Sequence, residues 1–292
     1  MTVDRRIIEL YNRYVHSAMP RREFLAQLTR MAGGAATATT LLGLLEPNYA
    51  QARQTEPDDR HLSCERIEFH SPNGVVKGYA ARPRKLGHMD KVGGVLVIHE
   101  NRGLNEHIED ITRRVALAGY IALAPDGLSV AGGAPADQEA ARDLFNKTDG
   151  GRIATDVLAG IPWLAADPYN NGQIAVMGFC YGGGLALRAA VENNGADCVV
   201  AYYGKQPPAD EAKKIRIPLL LHYAENDERI DAGIADFRAV LDAQHVPYES
   251  YVYPGTEHGF NNDSSEGRYN QEAATLAWQR TMAFFAKYLK KA

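Results

Sequence analysis

The chain has 292 residues, of which 45% are apolar and 23% are charged, an ordinary composition for a globular protein whose core needs no disulfide or metal. Its formal net charge of −4 contains no long run of one sign, which argues against nucleic acids or an anionic membrane surface as partners, since both bind basic surfaces. The three cysteines Cys64, Cys180 and Cys198 cannot all pair, and a Cys64–Cys198 bridge requires a fold that brings those two residues together.

The first 52 residues have the order of features that is typical of an export signal. A polar start leads to Arg21-Arg22, then to Phe24-Leu25, and then to 15 uncharged residues between Arg30 and Glu46. The stretch ends in Ala50-Gln51-Ala52, which has the small-x-small form of a cleavage site. The arginine pair resembles the twin-arginine type, so we expect the twin-arginine export machinery as a partner, no stable membrane anchor, and a periplasmic or secreted protein. The alternative is an N-terminal helix packed on the domain of a cytoplasmic protein.

Residues 53–62 are polar and are predicted to form a linker, and residues 63–292 are predicted to form one α/β domain. The alternating segments Glu65–His70 and Val75–Arg82 flank Pro72-Asn73-Gly74 and predict an antiparallel hairpin. Further strands, mostly short continuous apolar runs of the kind that is buried on both faces, are predicted at Gly93–His99, Tyr120–Ala124, Gln173–Met177, Cys198–Tyr203, Pro218–Tyr223 and Glu249–Tyr253.

Helix-length segments separate these strands. They are Asn105–Ala118, Pro135–Lys147, Gly151–Ala165, Tyr181–Asn193, Asp231–Ala243 and Gln271–Lys290. Strands that alternate with helices of this length predict right-handed crossovers and a mainly parallel sheet with helices on both faces. Ligands bind beyond the carboxyl ends of the strands in such sheets, and this is where Glu100, Cys180, Asp227 and His258 are expected.

The segment Gly178-Phe179-Cys180-Tyr181-Gly182 lies between a predicted strand and a predicted helix, and it matches the nucleophile-elbow pattern with cysteine as the nucleophile. Residues two before and two after the nucleophile come close together in this tight turn, so glycine fits best at both positions. At a helix N-terminus, free N–H groups and the helix dipole favour a thiolate and a developing oxyanion, and the N–H of Tyr181 is the first candidate donor. The alternative is a glycine-rich turn with an inert buried cysteine.

Two downstream residues complete the chain order nucleophile, acid, base. Asp227 follows one predicted strand and His258 follows the next. Asp227 would orient the imidazole of His258, which would exchange protons with Cys180 and with the leaving group. The alternatives are that Asp227 caps the following helix and that His258 is a surface loop residue. The rival acids in this region are Glu225, Glu228 and Asp231.

Four segments together resemble the dienelactone hydrolase family of α/β hydrolases, and the similarity runs through most of residues 63–290. They are His99-Glu100-Asn101-Arg102-Gly103, Gly178-Phe179-Cys180-Tyr181-Gly182-Gly183, Asp227 and His258-Gly259-Phe260. The resemblance implies the α/β-hydrolase fold and a Cys-His-Asp triad that opens an enol lactone to a keto acid without a cofactor or a metal. It also implies that Asn101 gives the second oxyanion N–H.

Glu100 occupies the place of a family glutamate that contacts the resting thiol, and the resemblance implies that it helps to generate the thiolate when substrate arrives. Like-charge repulsion from a nearby carboxylate keeps a thiol protonated, so Glu100 would silence Cys180 at rest. The alternative is a carboxylate paired with Arg102 or another cation.

The substrate is less defined than the chemistry. Family members that act on dienelactone hold its carboxylate with arginines, one of them shortly after the triad histidine, whereas this chain has Phe260-Asn261-Asn262-Asp263 there. Arg102 and Arg268 are candidate replacements, and we predict that Arg102 and Phe260 contact the substrate. The predicted function is hydrolysis of a small ester or lactone. The alternatives are a non-catalytic or redox-sensing reactive-thiol protein, and an acyltransferase or thioesterase.

Overall fold

An eight-stranded sheet forms the centre of the computed structural model, which describes residues 3–17, 19–48, 53–87 and 90–289. The predicted cleavage site, Ala50-Gln51-Ala52, lies outside the described residues. The strands are β1 (Leu62–Ser71), β2 (Gly74–Pro83), β3 (Val92–Ile98), β4 (Ile121–Pro125), β5 (Asn170–Phe179), β6 (Cys198–Tyr202), β7 (Leu219–Asn226) and β8 (Tyr248–Glu257).

The strand order in the sheet is β1-β2-β4-β3-β5-β6-β7-β8. β1 pairs with β2, and β2 with β4, in the antiparallel sense, whereas every later neighbouring pair is parallel. The predicted α/β-hydrolase fold is therefore confirmed, including the N-terminal hairpin, in which Ser71 pairs with Gly74 across a two-residue turn. The carboxyl ends of β3, β5, β7 and β8 lie on one edge of the sheet, so the residues that follow these strands can meet there.

The α-helices lie before β1, between the strands and after β8. They are α1 (Arg5–His16), α2 (Arg21–Met31), α3 (Ala35–Leu45), α4 (Glu106–Leu117), α5 (Gln138–Lys147), α6 (Gly150–Leu158), α7 (Gly160–Ala165), α8 (Tyr181–Glu192), α9 (Ala209–Ala212), α10 (Glu228–Asp231), α11 (Ile234–Ala243) and α12 (Gln271–Tyr288). Two predicted helices are each divided in two. The first divides at Gly160, where an added Cβ would lie 2.6 Å from the side chain of Leu96, and the second divides around Gly233.

The core lies on both faces of the sheet. Along β3, Leu96 and Ile98 belong to one apolar cluster, whereas Val95 and Val97 belong to the other, and all four side chains are fully buried. Successive side chains of a strand point to opposite faces, so a strand that is covered on both faces needs apolar residues at every position. This requirement explains the continuous apolar runs of the sequence.

The N-terminal helices α1, α2 and α3 form an apolar cluster of their own. Phe24 stacks on Tyr14 with ring centroids 4.2 Å apart, and Leu28 and Leu45 are fully buried. In the structure this segment is helical and packs on the domain, as the alternative to an export signal predicted. Export and cleavage stay predictions. No helix within the described residues is long and apolar enough to cross a membrane.

The predicted linker contacts α4. The N–H of Thr55 donates to Oδ1 of Asp110 at 2.7 Å, and Nε of Arg113 donates to the carbonyl of Thr55 at 3.0 Å. Thr55 and both charged side chains are buried, so this part of the chain is held by the polar bonds that buried groups require.

All three cysteines are free. Cys64 lies on β1 and Cys198 on β6, and four strands separate β1 from β6 in the sheet. At about 4.8 Å per strand spacing, the two strands are about 24 Å apart, much farther than a disulfide can span.

Candidate active site

The turn between β5 and α8 holds Cys180 in a strained backbone conformation. Cys180 has φ 54° and ψ −113°, a region that residues with a side chain rarely adopt. An added Cβ at Gly178 would lie 1.9 Å from the carbonyl oxygen of Gly182, and one at Gly182 would lie 2.5 Å from that of Ile98. This is the close approach predicted from the glycine pattern, and it places the thiol at the N-terminus of α8.

Asp227 and His258 meet at the same edge of the sheet. Nδ1 of His258 donates a hydrogen bond to Oδ2 of Asp227, and both side chains are buried. Nε2 of His258 is buried and has no hydrogen-bond partner among the described residues. A ring nitrogen of His258 and Sγ of Cys180 lie within 4.8 Å of each other. The structure therefore brings together the three residues of the predicted triad.

The charges of this pair are coupled. Burial by itself lowers the pKa of His258, but the charges of Asp227 and Cys180 outweigh burial and raise that pKa to about 9. Burial raises the pKa of Asp227, but the cation of His258 outweighs it and leaves that pKa below its usual value. His258 therefore favours the imidazolium form at neutral pH, between the anionic Asp227 and Sγ of Cys180.

Of the three other acids near His258, two accept backbone N–H groups and the third is exposed. Oδ2 of Asp231 accepts the backbone N–H of Asp227 at 3.3 Å, and burial raises the pKa of Asp231 to about 6. Oε2 of Glu225 accepts the N–H of Gly255 at 2.8 Å, and Glu228 is exposed. These contacts hold the loops around His258, and Asp227 is the acid that binds its imidazole.

Glu100 lies just beyond the end of β3 and is buried. Its Oε2 accepts a hydrogen bond from Nδ2 of Asn262 at 2.8 Å, and its Oε1 accepts one from Oη of Tyr203 at 3.4 Å. The ring of Tyr203 packs 5.0 Å from that of His258. Burial raises the pKa of Tyr203 far above its usual value, and Glu100 and Cys180 raise it further, so Tyr203 is a neutral donor. Tyr203 thus connects Glu100 with the triad.

Sequence reasoning missed two of these partners. Tyr203 directly follows β6 at the ligand-binding edge, and its position after an apolar run was the signal that could have found it. Asn262 lies in the stretch that lacks an arginine, and its amide donates to Glu100.

A cavity of about 1120 Å³ opens in front of Cys180. Tyr181 and Asn101, the predicted oxyanion donors, both line it. Tyr181 is the first residue of α8, where backbone N–H groups have no partner within the helix. The charged residues of the wall are Arg188, Lys205, Glu211, Arg229 and Asp236.

Arg102 and Phe260, predicted to contact substrate, lie away from this wall as far as the structure describes it. Phe260 is fully buried between the rings of Tyr203 and Tyr253, at 5.6 Å and 4.9 Å. Arg102 is buried and donates to Oη of Tyr11 at 3.3 Å. The substrate contact of these two residues stays a prediction, and the sequence pattern could not show that α1 covers the guanidinium.

Arg268, the other candidate for holding a substrate carboxylate, also has a structural role. Its guanidinium donates to Oγ of Ser265 at 3.1 Å and to the carbonyl of His258 at 3.4 Å. It also lies 5.1 Å from the ring centroid of Tyr11. Arg268 is buried by these contacts and supports the loop that carries His258.

Two other histidines are buried structural residues. His99 accepts the N–H of Gly127 through Nε2 at 3.0 Å and donates through Nδ1 to the carbonyl of Glu100 at 2.6 Å. His222 also lies in the core, since its ring bonds to Oη of Tyr253 at 2.8 Å and burial lowers its pKa to about 3. Both rings are neutral, and neither pairs with Cys180 in the contacts above.

One residue at the site was assigned to the predicted signal. The ring of His16, at the end of α1, packs 4.7 Å from that of His258. One nitrogen of each ring and Sγ of Cys180 all lie within 4.8 Å of one another. Two imidazoles and a thiolate are ligands that zinc and similar metals prefer, so this group could hold such an ion.

Comparisons with known proteins agree with this architecture. The model of the dienelactone hydrolase family matches residues 76–289. A Saccharolobus solfataricus protein named "Putative carboxymethylenebutenolidase" is 32% identical over 264 residues, which cover 77% of this chain and 98% of that protein. The "Putative hydrolase fragment YghX" of Escherichia coli is 51% identical over 115 residues, 39% of this chain and 97% of that fragment.

A solved structure shares the fold. The crystal structure named "Putative Dienelactone Hydrolase" from Klebsiella pneumoniae is 28% identical, with a TM-score of 0.69. The match covers 78% of this chain and 99% of that one.

Proposed function

This chain belongs to the dienelactone hydrolase family, and its relatives support a hydrolase function. We propose that it hydrolyses a small carboxylic ester or lactone through a Cys180–His258–Asp227 triad. The observation that carries the proposal is the strained turn at Cys180, which faces a cavity and lies within 4.8 Å of an imidazole already bonded to Asp227. Nucleophile, base and acid in this mutual arrangement are what acyl transfer requires.

The first half of the reaction forms an acyl-enzyme. Sγ of Cys180, as a thiolate whose proton resides on His258, attacks the carbonyl carbon, and the N–H groups of Tyr181 and Asn101 bind the oxyanion that develops. The tetrahedral intermediate collapses with cleavage of the C–O bond, and His258 gives its Nε2 proton to the departing alkoxide oxygen. In a lactone this oxygen stays attached to the acyl group, so the ring opens.

The second half releases the acid. The thiolate charge contributes to the raised pKa of His258, and thioester formation removes that charge. His258 can then accept a proton from water, which attacks the thioester carbonyl. Collapse of the second intermediate expels the Cys180 thiolate and restores the imidazolium. Asp227 keeps the same hydrogen bond throughout and stabilises the cation.

The cavity limits the substrate class. A volume of about 1120 Å³ admits a small molecule with room for water. The wall carries the cations of Arg188, Lys205 and Arg229 together with the acids Glu211 and Asp236. Since Arg188 pairs with Glu192 at 2.5 Å, Lys205 and Arg229 are the candidates to receive a substrate carboxylate. We propose that they serve a carboxylate-bearing ester or lactone.

The test is a screen of small esters and lactones on wild type and two cysteine variants. Cys180→Ala removes the nucleophile, and Cys64→Ala, on β1 at the far side of the sheet, is the matched control. We expect turnover by wild type and by Cys64→Ala, and none above background by Cys180→Ala. Single-turnover mass spectrometry should detect the acyl group on Cys180. Equal turnover in all three proteins would refute the proposal.

A further inference from the structure

The N-terminal helices reach the reacting atoms. Val15, His16 and Ser17, at the end of α1, are part of the wall of the active-site cavity. The ring of His16 packs edge-on against that of His258, with centroids 4.7 Å apart and planes at 81°. A substrate attached to Sγ of Cys180 would be within reach of a nitrogen of His16, since the two atoms lie within 4.8 Å.

Polar bonds hold this segment on the loops of the active site. Nδ2 of Asn101 donates to the carbonyl of Val15 at 2.9 Å, and Arg102 donates to Oη of Tyr11 at 3.3 Å. Asn101 and Arg102 are both buried and follow Glu100 directly. Both bonds join α1 directly to the loop that carries Glu100.

A second set of bonds fixes the other end of the segment. Oγ of Ser265 donates to the carbonyl of Leu45 at 2.7 Å, and the N–H of Gly267 donates to the carbonyl of Leu44 at 2.8 Å. Residues 265 and 267 belong to the loop that follows His258. The segment therefore bridges the loop after β3, which carries Glu100, and the loop after β8, which carries His258.

The ring of His16 offers a polar atom at the wall of the cavity. Its Nε2 is buried without a hydrogen-bond partner among the described residues. An imidazole nitrogen without a partner can form a hydrogen bond with a substrate oxygen while Asp227 stays bonded to His258.

We propose that residues 3–48 are a permanent part of the folded enzyme, and that His16 contacts the substrate as a hydrogen-bonding group opposite Cys180. The second half of this proposal rests on the proposed hydrolase function. The first half does not, and it excludes cleavage after Ala52, since cleavage there would remove His16. Export of the uncleaved chain remains compatible with it.

Three variants test the role of His16. His16→Ala removes the ring, His16→Gln retains an amide near the position of Nε2, and Arg13→Ala is an exposed control on the same helix. With the best substrate of the screen, we expect His16→Ala to lower kcat/KM by about tenfold or more, as for loss of one hydrogen bond to the substrate. His16→Gln should recover part of this loss, and Arg13→Ala should stay within about twofold of wild type. Thermal unfolding checks that all three fold.

If His16→Ala turns over substrate as fast as Arg13→Ala, the substrate contact is refuted while the hydrolase function stands. If wild type lacks turnover that depends on Cys180, the proposed function fails instead. Alkylation of Cys180 by iodoacetamide then still tests the contact. We expect it to be several-fold faster in His16→Ala than in Arg13→Ala, because Cys180 is 8% exposed beside that ring. Equal rates would overturn the placement of His16.

The retention of the segment has its own measurement. The intact mass of the protein isolated in active form from its native host should include residues 1–52. An active protein that begins after residue 52 would refute the permanent segment, whatever the outcome for His16.

Discussion

The charge on His258 offers the sharpest test of the site, through the substitution Asp227→Asn. The amide keeps the size of the side chain and removes the negative charge that bonds to Nδ1 of His258. Burial lowers the pKa of His258, and Asp227 and Cys180 together raise it to about 9. Without Asp227, we expect the pKa of His258 to fall toward or below its usual 6.5.

The size of the effect follows from linkage. A folded-state pKa of about 9 against 6.5 in the unfolded chain corresponds to about 3 kcal/mol of stability. Because the folded-state pKa is the higher one, this contribution is fully present below pH 6.5 and is lost as the pH rises through about 9. The wild-type free energy of unfolding should therefore fall across this window, and the fall should be smaller in Asp227→Asn.

Urea unfolding at a series of pH values measures this difference. The control is Glu228→Gln, since Glu228 is an exposed neighbour of Asp227 outside the cavity wall. We expect the control to keep the wild-type pH dependence, and Asp227→Asn also to lose about 100-fold or more in kcat/KM through loss of the oriented imidazole. Wild-type pH dependence of stability and turnover within tenfold of wild type in Asp227→Asn would refute the assigned roles of both residues.

Three further outcomes are expected. Glu100→Gln should lower kcat/KM, since an amide replaces the carboxylate that accepts from Tyr203 and Asn262; unchanged turnover would leave the carboxylate without a catalytic role. Gly182→Ala should abolish soluble expression or lower the Tm strongly, because its Cβ would lie 2.5 Å from a backbone oxygen; a wild-type Tm would contradict this packing. Zn²⁺ should inhibit turnover, and His16→Ala should weaken that inhibition about tenfold or more, because one of the three metal ligands is lost. Equal inhibition of wild type and His16→Ala would argue against a zinc site shared by His16, Cys180 and His258.

Local sequence patterns were sufficient for the scaffold and the nucleophile. A strand that is covered on both faces must be apolar at every position, and β3 and β7 could be recognised for that reason. Gly178 and Gly182 identified the elbow because backbone contacts of 1.9 Å and 2.5 Å leave no room for a Cβ. Both constraints act within a few residues of chain.

The substrate side of the site could not be obtained in this way. The environment of Arg102 and Phe260 could not be predicted, because it depends on Tyr11 and Tyr203, each about 60–90 residues away in sequence. Their side chains take part in packing that no local pattern records.

The sequence by itself determined an α/β sheet, a strained turn that presents Cys180, and an acid and a base after later strands, because each follows from local sterics and from the carboxyl-end rule of parallel sheets. Only the tertiary structure decided which groups surround that thiol. It joined His258 to Asp227, connected Glu100 with Tyr203 and Asn262, and brought His16 from the N-terminal helices to within 4.8 Å of Sγ. Such contacts arise from packing between distant segments, so they exist only once the chain has folded.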